Sequence, residues 1–203
     1  MMIEVISWIA VGVVLITATT MLVTRDWRFS LGALALQYFA AFWLVTRHLP
    51  FVMGSAKLIT GWMVVAALGM TRLGLSATED DKEEASLLRG LWFRVILMCI
   101  VALVTLGVTT RVEVFIPGLG LPVIAGSVIL IGGGVVHLGV TSDLMRVILG
   151  LLTMLTGFEI LYAAVESSIL VAGFLAVVSL GLGLVGSYLL LAGSTPPEAE
   201  DEL

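Results

Sequence analysis

Charged side chains are scarce in this chain: they make up 12% of its 203 residues, where a soluble domain carries about a quarter. Cysteine occurs once and histidine twice. A single Cys99 excludes a disulfide framework and any Cys/His metal spacing. It falls in an apolar stretch and reads as a small buried apolar residue. His48 and His137 fall at opposite ends of apolar runs, so no paired-histidine haem or zinc pattern is present. No nucleophile–base pair stands out either. The sequence therefore implies no metal and no cofactor, and at most a non-catalytic subunit of a larger enzyme or antiporter. No basic run suits nucleic acid. The net charge is −5, and the acids gather in TEDDKEEAS (78–86) and PPEAEDEL (196–203). Such runs read as solvated segments and loose tails.

What the chain has instead is apolar surface, 60% of all residues, arranged in blocks of about twenty. That is the length that crosses a hydrocarbon core of about 30 Å. Inside lipid the backbone must satisfy its own hydrogen bonds, so the spans are helices; a barrel would show short alternating segments. The expected fold is an all-α membrane protein, a bundle of about seven transmembrane helices. Spans are expected near 3–23, 30–48, 52–71, 91–110, 118–139, 144–165 and 169–192. The opening MMIEVISWIAVGVVLITATTMLV lacks a basic leading region and an A-x-A cleavage site, and reads as the first span. The segment RVEVFIPGLGLP separates spans four and five, while GVTSDLMR is short enough to make five and six antiparallel neighbours.

Basic residues set the expected orientation. With the N-terminus outside, Arg25, Arg28, Arg72, Lys82, Arg89, Arg94 and Arg146 lie on the cytoplasmic side, and Arg47 and Arg111 lie outside. The expectation is N-out, C-in, in the inner (plasma) membrane of a prokaryotic cell. Trp8, Trp27, Trp43, Trp62 and Trp92 read as interface anchors. The Gly-rich stretches GSVILIGGG and SLGLGLVGS suit close helix packing. Neither follows a strand or carries a lysine, so neither is a phosphate loop.

Ionisable groups inside the membrane are costly and functional by default. Lys57 is six residues into span three and Glu159 six residues from the outer end of span six. Both therefore lie about 9 Å from that end, and a pair between them is geometrically open. For Glu159, a role in ion movement or at an interface stands beside a structural salt bridge or a protonated, hydrogen-bonded acid. For Lys57, snorkelling stands beside pairing. Glu166, seven residues from Glu159, shares its helix face and also reads as an exposed span-end carboxylate. His137 could transfer protons or be an ordinary interfacial histidine. These four are the ion-translocation candidates. Arg94 and Arg146 begin spans and read as headgroup or interface contacts.

The segment HLGVTSDLMRVILGLLTMLTGFEILYAAVESS resembles the central part of the K-type membrane subunit of respiratory complex I. It is similar too to the C-type subunit of Mrp cation/proton antiporters. Ser142-Asp143-Leu144 stands where those families show R-N-L. Leu149-Gly150-Leu151 matches I-G-L, and Thr156-Gly157-Phe158-Glu159 stands where they show N-A-V-N. The stretches DWRFSLGALALQYFAAF and LITGWMVVAALGMTRLG look like the front half of component E of the hydrogenase-4 complexes. The resemblance divides the chain into a three-helix segment (1–72), an acidic cytoplasmic loop (73–90), a fourth helix with its outer loop (91–117), a K-type-like three-helix unit (118–192) and an acidic tail (193–203).

That likeness implies a non-redox subunit of an energy-converting complex: complex I-like, membrane hydrogenase or Mrp antiporter type. Its partners would be antiporter-like subunits and the bilayer. The families' acids do not carry over. The K-type glutamate of the middle helix falls at Leu152, and span seven has no acid. The lysine of the hydrogenase component's third helix would fall near Gly61, one turn from Lys57. An independent small-solute transporter and a purely structural scaffold are the rival readings. The first predicts broken helices at the midplane, and no span is interrupted by proline.

Overall fold

The computed structural model of the chain describes residues 2–75, 87–166 and 168–193. The acidic segment 78–86, with Lys82, and the tail beyond Gly193 lie outside the described residues. Seven helices follow one another: α1 (Met2–Val23), α2 (Trp27–Val45), α3 (Phe51–Gly74), α4 (Leu87–Phe115), α5 (Leu121–Val140), α6 (Leu144–Val165) and α7 (Ile169–Ala192). All seven are long and apolar enough to cross a membrane, and no strand occurs among the described residues. The chain thus has the fold of a multi-pass helical membrane protein.

Local chemistry fixes the helix ends. Asp26 caps α2 by accepting from the Arg28 amide at 2.9 Å. Asp143 caps α6 by accepting from the Arg146 amide at 3.2 Å. Both are acidic N-caps, which satisfy an orphan amide and suit the helix dipole. At the far end of α4 the expected break at 110 moves to Phe115. Glu113, in the last turn, explains the extension. Its carboxylate accepts from the amides of Gly118 and Gly120, at 3.3 and 3.1 Å. Those two glycines have φ of +99° and +83°, a region that disfavours a Cβ. His48 Nε2 donates to the Leu119 carbonyl at 2.8 Å and ties the α2–α3 turn to the same loop.

Buried positions follow heptad-like seams. On α3 the enclosed residues are Gly54, Gly61, Val64 and Leu68. On α6 the seam includes Met145, Leu149, Leu152, Thr156, Glu159 and Ala163. The tightest contact is between α5 and α6. A Cβ on Gly134 would lie 2.7 Å from the Met154 amide nitrogen, and one on Gly157 would lie 2.8 Å from the Ser127 carbonyl oxygen. Backbones this close gain the dispersion energy that drives helix association in lipid. Helix α1 packs on α2 and α5, and α3 on α7 and α2. The first three helices and the last three therefore interleave. Helix α4 lies outermost, against α5 and α1.

Two sequence expectations change here. Cys99 is exposed on the outer face of α4 rather than buried, because α4 has neighbours on one side only. Trp62 is in the middle of α3, not near its end, and its indole Nε1 donates to the Ala35 carbonyl at 3.2 Å. It ties α3 to α2 inside the span.

Candidate functional site

Four helices enclose two charges. Lys57 sits on the α3 seam one turn before Gly61, and Glu159 on the α6 seam. Lys57 Nζ lies 3.4 Å from Glu159 Oε2, with side chains 11% and 8% exposed. The other carboxylate oxygen, Oε1, accepts from Ser179 Oγ of α7 at 3.0 Å. Both oxygens of Glu159 are thus engaged, as a buried carboxylate requires.

Tyr38 of α2 completes the enclosure. Its ring lies flat against α3 at Gly61, where a Cβ would come within 2.6 Å of it. Its hydroxyl faces Thr156 and Glu159 without closing a well-formed hydrogen bond to either. Narrow clefts flank the pair. One is lined by Tyr38, Phe42, Lys57, Thr156 and Glu159, the other by Tyr38, Lys57, Gly61, Glu159 and Ser179. Each has room for about one water molecule.

From Glu159 a polar row descends α6 through Thr156 to Thr153, over about 9 Å. Thr156 and Thr153 donate to the carbonyls one turn back, Leu152 and Leu149, at 2.7 and 2.8 Å. Gln37 of α2, 0% exposed, donates from Nε2 to Thr153 Oγ1 at 3.3 Å. Its Oε1 is buried without a hydrogen-bond partner among the described residues. Next to Gln37 comes a layer of leucines: Leu34, Leu68, Leu149 and Leu152 are all fully enclosed, and the buried hydroxyls of Ser30 and Ser187 further on are not hydrogen-bonded to the row. The row therefore ends near mid-bundle, on a leucine floor that includes Leu152.

The four candidates fare differently. Lys57 and Glu159 meet. Glu166 lies outside the site, as the exposed residue closing α6. His137 is buried at the opposite end of the bundle, in the last turn of α5. Ser179, Tyr38, Thr156 and Gln37 complete the site although sequence reasoning passed over them. Ser179 occupies the small-residue stripe of α7 with Gly183 and Gly186, and that spacing was its available signal.

Seven apolar helices, four of them enclosing a buried lysine–glutamate pair, define the class: a polytopic helical membrane protein with an ionisable interior. No family model, curated protein or solved structure matches the chain.

Proposed function

We propose that this chain is a non-redox membrane subunit of an energy-converting complex of the complex I-like, membrane hydrogenase or Mrp antiporter type. It packs beside antiporter-like subunits in a prokaryotic inner membrane, N-terminus out and C-terminus in. Its contribution to proton or sodium movement runs through Lys57 and Glu159. The observation that carries this reading is their ion pair at 3.4 Å within the span. A scaffold has little reason to keep two charges where apolar side chains would pack as well. A charge relay needs two groups that can exchange a proton or part from one another when a neighbouring charge changes. The polar row from Glu159 to Gln37 supports the same reading, since the unpartnered Oε1 of Gln37 can hold water.

Purification of the tagged chain from its native membrane tests the assembly. Antiporter-like subunits should co-purify, whereas a stable lone monomer favours an independent transporter. Cation transport by the Glu159→Gln assembly tests the site. Transport should fall at least tenfold with subunit composition unchanged. Full transport in that variant would leave the pair a structural one. The scaffold reading keeps one specific observation in its favour, the engagement of both Glu159 oxygens by Lys57 and Ser179.

A further inference from the structure

Cations collect at the end of the bundle away from the pair. Arg94 Nη1 donates to the Leu22 carbonyl at 3.0 Å, and Arg146 Nη2 donates to the Thr24 carbonyl at 2.9 Å. These carbonyls end α1, which has no basic residue in its own last turn. Arg25, next in the chain, is exposed and lies within electrostatic reach of Arg94 and Arg146. Three guanidiniums thus converge from the α1–α2 turn, α4 and α6.

Capping α1 does not account for all of that charge. A helix C-terminus carries about half a negative charge. Asp143 adds one more and is itself engaged by the Arg146 amide, while Asp26, which follows Arg25, is offset by Arg28, whose amide it engages. Among the described residues roughly one and a half positive charges are left over. Arg146 also stands in the first turn of α6, the end of a helix that favours anions rather than cations. A guanidinium carries five donors, and Arg94 and Arg146 each spend one on α1. A second observation points the same way. His137 lies within electrostatic reach of Arg94 and Arg146, is 3% exposed, and its Nε2 has no hydrogen-bond partner among the described residues.

We propose that this corner binds one phosphate group, supplied by the headgroup of an anionic phospholipid. Guanidinium forks match phosphate oxygens in pairs, and basic pockets between membrane helices hold anionic headgroups. The surroundings fit a lipid. Trp92, Phe93 and Ile96, on the same turns of α4 as Arg94, are 69%, 55% and 54% exposed. They offer aromatic and aliphatic surface beside the charge, as acyl chains and glycerol require.

Thermal melting of the full chain in detergent tests the site, with added phosphatidylglycerol, phosphatidylcholine or inorganic phosphate. Phosphatidylglycerol should raise the melting point and phosphatidylcholine should not. Arg25→Gln and Arg94→Gln should each weaken the phosphatidylglycerol response about fivefold in half-saturating concentration, and Arg94→Lys should restore part of it. If inorganic phosphate matches phosphatidylglycerol and competes with it, the phosphate site stands with a soluble source. Equal stabilisation by phosphatidylcholine overturns the proposal, as does an undiminished response in both arginine variants. The Arg25 side chain makes no hydrogen bond among the described residues, so its variant keeps the test decisive if Arg94→Gln does not fold.

Discussion

Lys57 and Glu159 meet at 3.4 Å because α3 and α6 run antiparallel and each charge stands six residues from the same end of the bundle. The partnership also depends on Ser179, which arrives from a third helix to occupy the remaining carboxylate oxygen.

Breaking such a pair differs from deleting it. Lys57→Met leaves a buried carboxylate with a single hydroxyl donor, and should destabilise the protein by about 3–5 kcal/mol. The double variant Lys57→Met with Glu159→Met leaves no stranded charge and should recover most of that loss. Melting of the two singles and the double in one detergent gives the coupling. Additive losses would mean that the two groups do not interact in the folded chain.

Ser179 has a smaller and more specific effect. Ser179→Ala removes a hydrogen bond to a charged acceptor, worth about 1.5–3 kcal/mol. It should lower the melting point less than Lys57→Met. Ser187→Ala makes the control, because the Ser187 hydroxyl is buried without a partner among the described residues and its loss should be close to neutral.

All seven spans were legible because a bilayer demands long apolar helices, and that demand is written locally. The depth of Lys57 and Glu159 was legible for the same reason. Which helices touch was not. Helix α3 meets α2 through Gly61 and Tyr38 and α7 through Val64 and Gly183, and it reaches α6 through the Lys57–Glu159 pair itself, all between residues far apart in sequence. The seam Gly54, Lys57, Gly61, Val64 and Leu68 does have heptad-like spacing, so Lys57 could have been placed on the inward face of α3. The partner awaiting it there could not. Nor could the arginines that close α1, since the guanidiniums of Arg94 and Arg146 hydrogen-bond to the carbonyls of Leu22 and Thr24, far away in sequence.

Gly157 separates packing from site chemistry. It sits two residues before Glu159 and lets α6 rest directly on the α5 backbone. Gly157→Ala should force those backbones apart and destabilise by about 1–3 kcal/mol. Gly107→Ala on α4, where a Cβ meets nothing within 4 Å, should be neutral or slightly stabilising by helix propensity. Equal melting points for the two variants would remove the close approach of α5 and α6.

Tyr38 offers a variant in which stability and transport part company. Its hydroxyl closes no well-formed hydrogen bond among the described residues, so Tyr38→Phe costs no such bond and should melt at or above the parent. If the hydroxyl helps carry protons to Glu159, cation transport by the assembly should nevertheless fall. Unchanged transport would confine the ion path to Lys57, Glu159 and Ser179.

Orientation decides which compartment the pair opens toward, and a cysteine pair can read it. Ser142, in the α5–α6 turn, and Ile116, in the α4–α5 turn, are both exposed at opposite ends of the bundle. Arg25, Arg28, Arg72, Arg94 and Arg146 share the Ser142 end, while Arg47 and Arg111 lie at the other. That asymmetry should hold the Ser142 end in the cytoplasm. In a Cys99→Ser background, Ile116→Cys should react with a membrane-impermeant maleimide on intact spheroplasts. Ser142→Cys should react only after permeabilisation. Both charges of the pair would then lie about 9 Å below the outer surface, with the leucine floor between them and the cytoplasm. The reverse labelling pattern would put Lys57 and Glu159 in the cytoplasmic half. The polar row would then admit protons from the cell interior, and the direction of any relay through Glu159 would reverse with it.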